Sequence, residues 1–223
     1  KSVPDKDIIS VINPYKIGID SIMNEILCFS SVEMSKGKPE SLIGNFVTDI
    51  CLDMYDTIAD MCVMNNGGLR SSLSFGNVSL GDIYKLMPFE NELVVLELNR
   101  HEIYQLAQYI TSRGGEPFSG CDIYSSEDSL SINFHRCREM CEEGCKGRYG
   151  HHIHTFNLDD SSGQLVFRVL TSDYLANGGD KMSFFNNKGQ YKVGVKLRDA
   201  IINYCISKDT INSRLDDRIK IIE

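Results

Sequence analysis

A six-residue segment at positions 65–70, with the sequence NNGGLR, constrains the fold of this chain most strongly. It follows an apolar run at residues 61–64 that is typical of a short buried strand. Its two adjacent glycines permit positive φ angles and let backbone N–H groups approach a ligand closely. The guanidinium of Arg70 is a planar fork suited to a carboxylate or a phosphate. The segment therefore predicts a strand-end loop that holds a polar small molecule, with a tight turn and a solvated arginine as the alternative.

Two later segments extend this motif. Residues 86–91 have the sequence LMPFEN and precede a strand-like run, and residues 173–180 have the sequence DYLANGGD. In this order the three segments resemble the C-terminal domain of the 5'-nucleotidase family, whose versions run roughly NGGGIR, LPFGN and NFLANGGDGF. The family includes UDP-sugar hydrolases and 2',3'-cyclic phosphodiesterases. The resemblance covers nearly the whole chain apart from an insert at about residues 121–165, with weaker matches at residues 8–16, 38–46, 197–202 and 216–219.

The hydrophobic pattern predicts an α+β fold with a mixed β-sheet flanked by helices, as the resemblance also implies. A linker helix is expected from Asp7 to about Cys28, with a kink or break at Pro14. Asn99 is the expected N-cap of a later helix, with Glu102 completing a capping box. The other predicted elements are helices at 40–56, 99–112 and 197–206 and strands at 61–64, 92–98, 164–171 and 218–222. We expect a linker helix and strand at residues 1–36 and a 5'-nucleotidase C-terminal-like domain at residues 37–223.

Size and charge exclude several function classes. A chain of 223 residues can bury one sizeable core without disulfides or metals. A net charge of −8 and a pI of about 5.2 argue against binding to a nucleic acid polymer, which needs a basic face. We expect no membrane span, since no apolar run is long enough. No signal peptide is visible at Lys1, so we expect the sequence to start either after processing or inside a longer chain. The resemblance implies a periplasmic or extracellular location.

By resemblance, two aromatic rings take the base of a nucleotide or nucleoside between them. Phe89 matches the first ring, and Tyr174 matches the second, where the family usually has phenylalanine. Stacking tolerates different bases, because every base has a π-face. Asp180 matches the acidic residue that accepts hydrogen bonds from the ribose hydroxyls. The alternatives are aromatic residues buried in the core and an aspartate that merely closes a Gly-Gly turn.

The resemblance assigns the ribose and phosphate end of the site to the first loop, through Asn65, Gly67, Gly68 and Arg70. The glycines would let the loop backbone lie against the ligand. The family often has a further arginine just before its first core helix, where this chain has Pro39 with Lys38 beside it. A lysine offers a point charge rather than a fork. Binding at the phosphate end is therefore expected to differ from the family's pattern.

The family's hydrolytic machinery is expected outside this chain. By resemblance, a metallophosphoesterase domain holds two divalent metals that activate water, through Asp-x-His, Gly-Asn-His-Asp/Glu and Gly-His-x-His segments. The first two are absent here, and residues 150–154 match the third only superficially. We therefore expect no catalytic residue and no cofactor in this chain, and a metallophosphoesterase partner in cis or as a separate chain. The alternatives are a free-standing nucleoside-binding protein, or a metal or redox protein that uses a cysteine-rich insert.

Eight cysteines are many for such a domain. Four lie in apolar surroundings that predict core positions: Cys28, Cys51, Cys62 and Cys205. The other four cluster near the insert: Cys121, Cys137, Cys141 and Cys145. The last three stand four residues apart, close to His135 and to histidines at 151, 152 and 154, and are the candidate metal ligands. Disulfides, free surface thiols or no functional role are the alternatives.

Overall fold

The computed structural model describes residues 5–135 and 166–222. Six α-helices occur there: α1 (Lys6–Met23), α2 (Leu42–Met54), α3 (Leu80–Leu86), α4 (Arg100–Ser112), α5 (Asp173–Ala176) and α6 (Leu197–Ile206). The strands are β1 (Ile26–Ser30), β2 (Met61–Val63), β3 (Gly76–Ser79), β4 (Glu92–Asn99), β5 (Phe118–Ser119), β6 (Cys121–Ser125), β7 (Leu130–Phe134), β8 (Val166–Ser172), β9 (Gln190–Lys196), β10 (Thr210–Ile211) and β11 (Ile219–Ile221). Short 3-10 helices occupy Gly179–Lys181 and Ser183–Phe185.

A five-stranded mixed sheet forms the centre, in the order β5-β2-β8-β4-β9. Strands β2 and β8 are parallel, and the other neighbours are antiparallel. Side chains of β4 alternate between the two faces: Leu93 and Val95 join one core, while Val94, Leu96 and Leu98 join the other. Helices α2, α3 and α6 cover the first face, and α4 with the β6–β7 hairpin covers the second. This arrangement confirms the predicted α+β fold with a mixed sheet flanked by helices.

Helices with strong local signals form where the sequence predicts them. Ser41 caps α2 by accepting a hydrogen bond from the Gly44 amide, and most of the helix is buried. Helix α4 begins after Asn99, whose side chain forms the predicted capping box with Glu102. Each such cap is worth about 1 kcal/mol.

The N-terminal helix differs from its prediction in length and continuity. It ends at Met23 with Asn24 as its C-cap, and β1 begins at Ile26, so the expected extension to Cys28 is wrong. The helix also runs through Pro14, so a break there is wrong, while the alternative of a kink stays a prediction. None of its residues is buried, and its last turn lies against α3, where a β-carbon on Gly81 would meet the Met23 carbonyl.

The segment expected to be an insert begins as part of the core. Strands β6 and β7 form an antiparallel hairpin, and β11 pairs with β6 in parallel. Cys121 is fully buried there, and burial raises the pKa of its thiol, so it is a core residue apart from any surface cluster. The candidate metal ligands Cys137, Cys141 and Cys145, and the histidines at 151, 152 and 154, lie outside the described residues. None of the helices in the described part of the chain is long and apolar enough to cross a membrane.

Candidate functional site

The sheet topology brings the three sequence motifs to one edge. Because β2 and β8 are parallel, the NNGGLR loop after β2 and the segment after β8 leave the sheet at the same end. Strand β4 runs antiparallel to β8, with Leu93 opposite Ser172, so the segment before β4 also lies there. The Glu92 amide donates to Asp173 Oδ1 at 3.1 Å and joins the last two segments directly. Ligands commonly bind outside the carboxyl ends of parallel strands.

Asp180 lies at the centre of this edge, in a left-handed conformation with φ 53°. Its Oδ2 accepts a hydrogen bond from Asn65 Nδ2 at 3.0 Å, and its Oδ1 forms an ion pair with Arg113 Nη2 at 3.1 Å. Its backbone is held as well, because the Tyr109 hydroxyl donates to its carbonyl and its own amide donates to the Tyr174 hydroxyl. A left-handed non-glycine residue costs about 1–2 kcal/mol, and these four contacts offset that cost.

Two of the motif glycines are required by close approach. A β-carbon on Gly179 would lie 2.4 Å from the Tyr174 carbonyl oxygen and 2.6 Å from a ring carbon of the same residue. A β-carbon on Gly68 would lie 2.8 Å from Asn65 Oδ1, because the Asn65 amide folds back over the loop. The glycines thus allow the Tyr174 ring and the Asn65 amide to take their positions beside Asp180.

Both candidate stacking rings are accessible at the surface. Phe89 is 42% exposed and Tyr174 is 49% exposed, so neither is a core aromatic residue. A ring exposed to this degree offers an apolar surface that a ligand can meet. The stacking role itself stays a prediction.

The loop that carries Phe89 is held in place by charged side chains on β9 and α6. Glu90 accepts hydrogen bonds from Lys196 and from Arg198, and these lower the pKa of its carboxyl to about 2. Arg198 is buried, with its guanidinium 4.2 Å from the Tyr84 ring centroid. Its Nη1 also donates to the Met87 carbonyl at 3.4 Å. The position of Phe89 is therefore set by the junction of β9 and α6.

The basic residues near the first loop have different roles. Arg70 is exposed, and within residues 5–135 and 166–222 its side chain makes one hydrogen bond, from Nη1 to the Gly67 carbonyl at 3.3 Å. Lys36 Nζ donates to the carbonyls of Asn66 and Leu69 and so braces the loop. Lys38, which stands beside the missing family arginine, donates to the Arg113 carbonyl instead. Arg70 thus leaves its charge open to a ligand, while the two lysines support the backbone.

A network centred on Arg113 was missed in the sequence. Besides its pair with Asp180, Arg113 Nε bonds to Glu116 Oε1 at 2.8 Å, which raises the pKa of the guanidinium. The side chain of Glu116 is 1% exposed, and its Oε2 accepts a hydrogen bond from the backbone amide of Asn66 at 2.6 Å. The segment RGGE at residues 113–116 held a signal, since it repeats the combination of a charged residue with Gly-Gly seen in the recognised motifs.

The carboxylates of this edge are held by cations and amides rather than arranged around a metal. Asp180 and Glu116 share Arg113, and Glu90 is paired with Lys196 and Arg198. In residues 5–135 and 166–222, no three histidine, cysteine, aspartate or glutamate side chains converge in a way that could hold a metal ion.

Comparison with known proteins points to one group. A family model described as "5'-nucleotidase, C-terminal domain" matches residues 21–117. An apyrase of Tabanus yao is 29% identical over 216 residues, which covers 90% of this chain and 38% of the apyrase. A trifunctional nucleotide phosphoesterase of Bacillus subtilis is 24% identical over 184 residues, or 78% of this chain and 12% of that protein. The chain therefore spans well under half of the length of either relative.

Solved structures agree on the fold. The crystal structure of a 5'-nucleotidase precursor from Thermus thermophilus superposes with a TM-score of 0.73, covering 99% of this chain and 44% of that one at 20% identity. A Haemophilus influenzae NAD nucleotidase superposes with a TM-score of 0.68 over 98% of this chain and 42% of its own.

Proposed function

We propose that this chain, which belongs to the 5'-nucleotidase family as a C-terminal domain, binds the nucleotide or nucleoside substrate of a phosphohydrolase of that type. The observation that carries the proposal is that three distant segments meet at one end of the central sheet, the last of which contributes Asp180. Its carboxylate is held by Asn65 from the first loop, and the exposed rings of Phe89 and Tyr174 flank the same edge of the sheet.

Each group at this edge suits one part of a nucleotide. The ionised carboxylate of Asp180 only accepts hydrogen bonds, and it retains lone pairs that can take a vicinal diol. The two exposed rings offer stacking surfaces, each worth on the order of 1–3 kcal/mol per base. Arg70, whose guanidinium makes one long hydrogen bond among the described residues, supplies a fork for a phosphate. Base, ribose and phosphate can therefore be bound by separate residues.

Hydrolysis in this proposal belongs to a metallophosphoesterase domain, in the same polypeptide or in a separate chain, where divalent metals would activate water. The relatives are more than twice as long as this chain, which leaves room in them for such a domain. The pairing of Asp180 and Glu116 with Arg113 supports a binding role for this edge. The proposed cellular location is periplasmic or extracellular.

Ligand titration tests the proposal. We expect adenosine and AMP to raise the midpoint of thermal unfolding of the 223-residue chain, and calorimetry to give a single site. Replacing Phe89 by alanine should remove one stacking surface and weaken adenosine binding by about tenfold or more.

Phe75→Ala is the matched control, because Phe75 is also exposed and packs edge-to-face on Phe29 in a different sheet. Its adenosine affinity should equal that of the wild type. The proposal fails if no nucleoside or nucleotide shifts the midpoint, or if the two variants lose affinity equally.

A further inference from the structure

Four buried cysteines meet as two pairs. The thiol of Cys28 in β1 is hydrogen-bonded with that of Cys205 in the last turn of α6. The thiol of Cys51 in α2 is likewise bonded with that of Cys62 in β2. All four lie in the core, as the sequence predicts, and all four are free thiols. Their pairing brings together positions that no sequence motif connects.

The backbone around the first pair is held independently of the thiols. After α6 the chain turns at Lys208, whose amide donates to the Cys205 carbonyl at 3.1 Å, and returns along β1 as β10. The Phe29 amide, next to Cys28, donates to the Asp209 carbonyl at 3.0 Å. These bonds keep the last turn of α6 beside β1, so the two sulfur atoms stay neighbours.

We propose that Cys28 and Cys205 are a disulfide-forming pair that ties the end of α6 to β1 when the chain meets a disulfide oxidant. Cys28 is the attacking group, because this residue is 6% exposed whereas Cys205 is fully buried. The hydrogen bond from the Cys205 thiol also favours the Cys28 thiolate, although burial raises the pKa of both thiols.

The reaction is a two-step thiol–disulfide exchange. The Cys28 thiolate attacks one sulfur of a small-molecule disulfide, forms a mixed disulfide and releases one thiolate of the oxidant. Cys205 then loses its proton to solvent and attacks the Cys28 sulfur, which releases the second thiol. The two protein thiols lose two electrons and two protons in total, and the oxidant is reduced to two thiols.

The second pair, Cys51 and Cys62, is an internal control. It has the same two thiol groups, but a disulfide oxidant cannot reach them. Cys51 and Cys62 are both 0% exposed, between α2 and the central sheet. Burial raises the pKa of Cys62 well above its usual range. Because both thiols are fully buried, an oxidant does not reach them, and this pair stays reduced in the folded chain.

Peptide mapping tests the proposal. The folded 223-residue chain is equilibrated in glutathione buffers with a rising oxidised fraction, quenched in acid, denatured, alkylated and digested with trypsin. Cys28 is the only cysteine of peptide 17–36, and Cys205 is the only one of peptide 199–208. We expect these peptides to become joined, while Cys51 and Cys62, both in peptide 37–70, remain alkylated. The proposal is overturned if Cys28 and Cys205 stay alkylated at the highest oxidised fraction, or if Cys28 joins any other cysteine.

Thermal unfolding gives a second readout. A cross-link between residues so far apart in sequence restricts the unfolded chain, and we expect oxidation to raise the unfolding midpoint by roughly 10 °C. Reductant should reverse the rise, and Cys205→Ser should abolish it while Cys51→Ser retains it. A rise that persists in Cys205→Ser contradicts the proposal. If either variant fails to fold, the peptide map of the wild type decides alone.

Discussion

At the scale of single residues, Asp180 depends on an arginine that a reading of motifs overlooks. Arg113 joins the Asp180 carboxylate to the buried carboxylate of Glu116. Replacing Arg113 by glutamine should raise the adenosine dissociation constant by about 2- to 5-fold, since a partly exposed ion pair is worth at most about 1 kcal/mol. It should also lower the free energy of unfolding by about 1–3 kcal/mol, because Glu116 would keep its burial and lose its cation. Calorimetry and urea unfolding measure the two effects.

Arg70→Gln is the matched control for that variant. Arg70 is exposed, and in the described part of the chain its side chain makes one long hydrogen bond, so the stability of the chain should not change. If Arg70 meets a phosphate, AMP binding should weaken by about tenfold while adenosine binding stays the same. An equal loss for both ligands would place Arg70 at the nucleoside instead and contradict its assigned role.

At the scale of elements, the junction of β9 and α6 holds the Phe89 loop through Glu90. The pKa of Glu90 is lowered from 4.5 to about 2 by its bonds to Lys196 and Arg198. A carboxyl group whose pKa is lower in the folded chain than in the unfolded chain stabilises the fold at pH values above its unfolded-state pKa. That stabilisation is lost as pH falls from about 4.5 through 2. The free energy of unfolding of the wild type should therefore exceed that of Glu90→Gln by a constant margin above pH 5. This margin should shrink as pH falls from 4.5 to 2. Urea unfolding across this range measures it, and a margin independent of pH would contradict the ion pair.

Elements were predictable where their signals are local. The start of α4 follows from Asn99 and Glu102 within one turn, and the position of α6 follows from its own apolar spacing. Strand β5 has only two residues, and it forms because β2 lies beside it. The β6–β7 hairpin lies in a segment outside the recognised motifs, and its place in the core depends on β11, which comes much later in the chain. Pairing between distant segments leaves no periodicity within either of them.

The same distinction applies to the candidate site at the scale of the whole molecule. Glycine-rich segments are visible in a sequence, because glycine is needed wherever a backbone or a ring approaches closely, as at Gly179. The Arg113–Asp180 pair spans 67 positions, and the Cys28–Cys205 pair spans most of the chain. Such pairs depend on the finished topology. The fold class and the glycine-rich motifs could therefore be predicted, while the contacts that hold these motifs in place could not.

Helix α1 bears on how this domain fits into a larger protein. It is 18 residues long, contains Pro14 and buries no residue, yet it exposes apolar side chains such as Val11, Tyr15 and Ile17. Isolated helices of about this length are marginal in water. Exposed apolar patches often mark interaction sites, and we predict that the metallophosphoesterase domain proposed as the partner covers this helix.

Hydrogen exchange tests this assignment. In the 223-residue chain the amides of α1 should exchange quickly, whereas those of α4, which packs on the sheet, should be strongly protected. In a longer chain or a complex that contains the metallophosphoesterase domain, protection of α1 should rise by about tenfold or more, since each 1.4 kcal/mol of docking energy contributes a factor of ten. Protection of α4 should stay the same in both samples. Strong protection of α1 in the 223-residue chain alone would mean that the helix is stable without a partner, and its exposed apolar side chains would then need another explanation.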